Sequence, residues 1–269
     1  MSTLAARCLN CDHELGGDFC QGCGQAAKVR RFTIQDFVRE VFRAFELEHA
    51  LPRTLIGILA RPGATIRAYL DGKRASTYSP VNLLVLCGGL VALATISLDL
   101  TPKSTQPSSA LLFRAVELAT QYRAYLVLLI LPLDAVAPWL FLRKATGRGY
   151  AEQLAAAALV AAGSAIIGLA FVPVLWIAKH TRGSSTVDSV QSLVTVVYMT
   201  WAYATMQTAE HGTRLRRWAR GAAAAVGTYA MYCFAAIVML FGLFMVIALS
   251  QFVLHQFGVP YRDFSFQMS

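Results

Sequence analysis

The chain has 269 residues, of which 56% are hydrophobic and 14% charged, against roughly 45–50% and about 25% in soluble domains. That balance excludes an ordinary water-soluble globular protein and points to a chain built around a bilayer. A formal charge of +9 would suit nucleic acid, but in a membrane chain basic excess reports topology and headgroup contact, so no nucleic-acid partner is expected.

Residues 1–27 carry two C-x-x-C turns, Cys8-Leu9-Asn10-Cys11 and Cys20-Gln21-Gly22-Cys23. Two thiolates at that spacing share one tight turn and chelate a single tetrahedral ion, and a second turn completes the shell. Gly16-Gly17-Asp18 supplies the reversal between them. A thioredoxin-like redox pair needs one C-x-x-C beside a βαβ pattern, which is missing. Disulfides do not suit a segment placed in the reducing cytosol. The expectation is a four-cysteine zinc knuckle holding one structural Zn2+ on Cys8, Cys11, Cys20 and Cys23, with no position left for a reacting water.

Residues 28–79 read as basic amphipathic helices next to the membrane. Thr33 and Asp36 fit an N-cap with an acidic third position, and Ile34, Phe37, Val38, Val41, Phe42 and Phe45 follow at helical spacing. Such a helix either lies in the membrane interface or packs on its own bundle. Pro62 and Gly63 then separate two short helices. Arg61, Arg67, Lys73 and Arg74, with Tyr69 and Tyr78, form a basic-aromatic belt before the first span. The belt is either a site for an anionic headgroup or lipid phosphate, or a plain topological anchor.

The segments CLNC, FCQGCGQ, RRFT and TLIGILARPGATIRAYLDGKR, with TYSP after them, together resemble a family of bacterial zinc-ribbon membrane proteins described as a domain of unknown function. The resemblance covers about residues 8–85. It implies metal binding by Cys8, Cys11, Cys20 and Cys23 and a membrane location, and it implies no reaction. Asp12 stands where that pattern leads one to expect glycine after the first cysteine pair.

Residues 80–255 are expected to form an all-α bundle of about five transmembrane helices, near 80–98, 125–142, 150–177, 190–206 and 222–254, with a short tail at 256–269. No apolar core of signal-peptide length precedes Pro80, so the first span is expected to act as its own insertion signal. With the N-terminus cytosolic, the inside segments carry 18 Lys and Arg residues and the outside segments 6, as the positive-inside rule requires. This places the C-terminus in the periplasm and the protein in the bacterial cytoplasmic (inner) membrane.

Asp134 is the acidic residue near the middle of a span, bracketed by Pro132 and Pro138. It is either an ion or proton site, or a carboxylate hydrogen-bonded to a Tyr, Thr or Arg of another helix. Glu152 and Gln153, like Glu210 and His211, are expected to be solvated residues at span ends. Cys87 and Cys233 are read as packing residues. Ala157, Ala161 and Ala165, and then Ala223 and Gly227, are small-residue rows that permit close helix approach or self-association into a homo-oligomer.

No catalytic constellation is present in the sequence. The leading expectation is a non-enzymatic zinc-binding scaffold or regulator that presents a cytosolic docking surface to a protein partner. A transporter or channel component using Asp134 is the alternative, followed by a membrane enzyme handling lipid phosphates.

Overall fold

The computed structural model describes residues 7–29, 33–36, 50–98, 100, 123–178 and 184–256. Among them the chain is helical, with no regular strand. Two short helices come first, α1 (Leu51–Ala60) and α2 (Pro62–Leu70), followed by α3 (Pro80–Ser97). A broken pair follows, α4 (Arg123–Asp134) and α5 (Val136–Thr146), and then α6 (Tyr150–Ala178) and α7 (Ser184–Met206). A 3-10 turn at Ala209–His211 leads into α8 (Arg214–Gln256).

Among the described residues three stretches are long and apolar enough to cross a bilayer: α3, α6 and Arg214–Val246 of α8. The expected span at 125–142 is not one helix, because it breaks at Ala135 between Pro132 and Pro138. The last helix begins at Arg214, ahead of the composition change at Ala222. Gly212 turns the chain with φ 117°, and Thr213 Oγ1 accepts from Arg216 N at 3.4 Å, so a capping residue sets the start. Thr33 and Asp36 form the expected capping box: Thr33 N and Oγ1 donate to Asp36 Oδ2 at 2.9 and 2.7 Å. The apolar stripe from Phe37 to Phe45 lies outside the described residues.

α6 is the central helix, bordered by α3 and α7 and touched by α1, α2, α4 and α5. Its first half is nearly all small or aliphatic and almost wholly buried from Glu152 to Val160. Glu152 and Gln153 are therefore not solvated, contrary to expectation. Glu152 Oε2 accepts the Gly149 N–H at 2.8 Å, which closes the start of α6. α8 lies along α7 and the α4–α5 pair. Its outer face exposes Phe234, Ile237 and Phe241, a surface suited to acyl chains rather than water. Cys87 is buried as expected, whereas Cys233 is exposed on α8.

Two close approaches fix α1 and α2 against the bundle. A Cβ at Gly63 would overlap the backbone of Thr205 and Met206, so α2 meets the end of α7 at backbone distance. Tyr198 of α7 passes over Gly163 of α6, where any Cβ would strike its ring. Its hydroxyl donates to the Ile58 carbonyl at 3.0 Å. That carbonyl would ordinarily accept from the residue four positions on, which is Pro62 and has no N–H. The same device recurs in the broken pair: Asp134 C=O faces Pro138, and Thr228 Oγ1 of α8 donates to it at 3.4 Å.

Tyr198→Phe should leave the Ile58 carbonyl without a donor, at a cost of about 1–3 kcal/mol, read as a lower thermal midpoint in detergent. Gly63→Val should force α2 off α7 and cost at least as much, because backbone atoms cannot rotate aside; an unchanged midpoint would contradict the backbone contact.

Candidate metal centre and the loop it grips

The four N-terminal cysteines fold as two copies of one turn, with Cys20 in the place of Cys8 and Cys23 in that of Cys11. In the first, Cys8 N donates to His13 O at 2.9 Å and Asp12 N to Cys8 O at 2.9 Å. In the second, Cys20 N donates to Gln25 O at 2.8 Å and Gly24 N to Cys20 O at 2.8 Å. Isolated bridges Arg7–Glu14 and Phe19–Ala26 close each turn from outside. The residue after each pair must be left-handed: Gly24 has φ 72° and Asp12 has φ 59°. Asp is among the few side chains that tolerate this region, so Asp12 does the work of the expected glycine.

The Sγ atoms of Cys8, Cys11, Cys20 and Cys23 all lie within 4.8 Å of one another. The closest pairs cross between the two turns, Cys8–Cys23 at 3.6 Å and Cys11–Cys20 at 3.5 Å. A tetrahedral ion with metal–sulfur bonds of about 2.3 Å needs sulfur–sulfur edges of about 3.8 Å. The cluster fits such an ion, and all four cysteines are free. The surroundings of the thiols differ. The Gln25 backbone N–H, and then the Asn10 side chain, pull Cys23 down to about 6. The His13 backbone pulls Cys11 down, but the neighbouring sulfurs outweigh it and push Cys11 up to about 12.

Gln25 joins this centre to the rest of the chain. Its side chain is buried and reaches the loop after α2, where Nε2 donates to Gly72 O at 2.9 Å. Its Oε1 accepts from Arg74 N and Ala75 N, both at 3.1 Å. All three contacts are to backbone, so they read loop shape rather than loop sequence. Gly72 has φ 105°, and a Cβ there would press on Leu9 and Val29, which lie over the loop. From the other side, Thr54 Oγ1 of α1 accepts Tyr78 N at 2.8 Å and donates to Ala50 O at 2.9 Å. Arg148 adds an ion pair to Asp71 at 2.7 Å, which contributes little because Asp71 is largely exposed.

The basic belt divides. Arg67 lines a cavity at the end of α7, and its Nη1 donates to Thr205 O. Arg74 stacks 5.8 Å over the Tyr69 ring, while Arg61 and Lys73 are exposed. Asp134 is buried, and its Oδ1 has no hydrogen-bond partner among the described residues. Tyr203 and Thr228 stand beside it. Thr228 serves the Asp134 carbonyl rather than its carboxylate. Glu210 lies exposed in the 3-10 turn; the side chains of His211 and His255, and all of His180, lie outside the described residues.

Sequence reasoning misses Gln25 and Tyr198. The only signal for Gln25 is its place in FCQGCGQ, which says nothing about a partner 47 residues away. Tyr198 carries no signal, since an aromatic within a span is ordinary.

One family model, described as a protein of unknown function (DUF3667), matches residues 48–91. The matched stretch is α1, α2, the gripped loop and the first part of α3. No curated protein and no solved structure shows a significant similarity to the chain.

Gln25→Ala should keep the metal content unchanged while amide exchange at Ala75 becomes faster, measured by hydrogen exchange in the full chain. In the metal-free protein the Cys23 thiol should ionise near pH 6. Cys23→Ser should then remove that step from the ultraviolet thiolate titration; its persistence would refute the assignment.

Proposed function

We propose that this protein is a zinc-dependent, non-enzymatic scaffold or regulator of the bacterial cytoplasmic membrane. The observation that carries the reading is the Gln25 clasp, which ties a four-sulfur site with no free coordination position to the backbone of the family-matched segment. Zinc is the ion of choice for four thiolates in a closed tetrahedron, and such sites stabilise a fold rather than activate water. In this reading α3, the α4–α5 pair, α6, α7 and α8 make five crossings, with the knuckle on the cytosolic side, where the Lys and Arg excess also falls. The knuckle, the loop and the α1–α2 hairpin form the surface offered to a protein partner.

Full-length protein crosslinked in membranes tests this reading. A partner should be captured by the wild-type chain and lost in both Cys11→Ser and Gln25→Ala. The second variant separates docking geometry from metal loading. Capture that survives both changes would defeat the proposal, and a metal analysis showing no zinc in the wild-type chain would defeat its first premise.

A second reading has its own observation: the buried Asp134 Oδ1 has no hydrogen-bond partner among the described residues, and Tyr203 lies near it. A buried acid so placed suits a proton or cation path through the bundle. Under that reading, proteoliposomes should show pH-dependent flux that Asp134→Asn abolishes; equal flux in the variant would remove Asp134 from any transport role.

A further inference from the structure

Where α7 ends and α8 begins, a cavity of about 640 Å3 opens between α2, the Ala209–His211 turn and the first turns of α8. Arg67, Arg214 and Arg217 line it from separate stretches of chain, together with Trp201 and Trp218. Among the described residues none of these three guanidinium groups meets a carboxylate. The nearest acid in sequence, Glu210, is exposed in the turn and is not part of the lining.

Much of the donor capacity of these arginines is unused. Arg67 Nη1 is engaged by Thr205 O, and Arg217 Nη1 reaches Gln207 O at 3.4 Å. Arg217 Nε is buried with no hydrogen-bond partner among the described residues. Three like charges converging on one concavity repel one another. An anion with several acceptor oxygens relieves that repulsion and fills the forked donors, and a phosphate ester has this geometry.

The outer face of α8 shows where the rest of such a molecule would lie. Trp218, which lines the cavity, is 39% exposed, and Leu215, one turn before it on α8, is 80% exposed. From them an exposed apolar stripe continues at helical spacing through Val226, Tyr229, Ile237 and Phe241. A cationic aromatic pocket opening onto an apolar stripe matches an amphiphile, with its head in the pocket and its chains on the helix.

We propose that this cavity binds the phosphate of an anionic lipid headgroup, with the acyl chains lying along α8. Of the arginines and lysine in the basic belt, only Arg67 belongs to the site. Arg214 and Arg217 complete it. The inference does not rest on the metal centre.

Binding is measured on the full-length protein in neutral detergent through Trp fluorescence. The probes are short-chain phosphatidylglycerol, phosphatidylcholine of equal chain length, and inorganic phosphate. Phosphatidylglycerol should bind about tenfold tighter than either of the others, and Arg214→Gln and Arg217→Gln should each weaken it about tenfold. Arg216→Gln, which removes the same charge from an exposed position outside the cavity, should leave it unchanged. Arg217 also holds Gln207 through its backbone carbonyl; should its variant fail to fold, the exposed Arg214 carries the test alone. Equal loss in Arg216→Gln would reduce the effect to general surface charge and overturn the proposal. So would phosphatidylcholine binding as tightly, or inorganic phosphate matching the lipid, which would make this a site for free phosphate.

Discussion

A backbone carbonyl that loses its helical partner inside a bilayer or a packed helix interface has no water to turn to, and this constraint governs how the chain is assembled. Prolines create the problem at Ile58 and Asp134, where the N–H four residues on is missing. In each case a hydroxyl from another helix answers it, Tyr198 for Ile58 and Thr228 for Asp134. The Tyr150 hydroxyl covers Pro132 O at 2.5 Å beside the break in the α4–α5 pair, and Arg67 covers Thr205 O at the end of α7. Each irregularity thus names the helix it must pack against. The hydrophobic effect does not discriminate among apolar faces in lipid, so these polar contacts and the small-residue approaches at Gly63 and Gly163 carry the specificity.

The same logic extends to the loop between α2 and α3. Residues 71–79 form no helix or strand; the amides of Asp71, Gly72 and Lys73 go back to the end of α2, and neighbouring elements take others. Gln25 takes Arg74 N and Ala75 N and gives to Gly72 O, while Thr54 takes Tyr78 N. The knuckle is therefore structurally continuous with the membrane part. Its four sulfurs fix the turn that holds Gln25, Gln25 fixes the loop, and the loop sets the start of α3. A change at the four sulfurs would therefore reach the loop backbone through Gln25 and Leu9.

How much of this is legible in the sequence depends on the range of the determining contact. Two C-x-x-C pairs state their ligand geometry locally, and the four sulfurs do come together. Runs such as Pro80–Ser97 and Tyr150–Ala178 declare themselves by length and composition. The prolines around Asp134 are visible, but summed hydropathy hides that they divide the stretch into two helices. Glu152 looks like a solvated end residue because its capping role depends on Gly149 and its burial on neighbouring helices. In the sequence Arg214 and Arg217 register only as topological charge. A basic residue at the end of a span looks the same whether it anchors the helix or lines a cavity.

The order of these elements along the chain also has a temporal meaning. Both cysteine turns are complete once Gln25 has been made, whereas the backbone groups that Gln25 grips belong to residues 72, 74 and 75. During synthesis the four-cysteine unit can close before its dock exists, and the dock lies just ahead of α3. The clasp cannot be complete until residue 75 has been made, so the last contact of the N-terminal unit waits for the stretch that leads directly into α3.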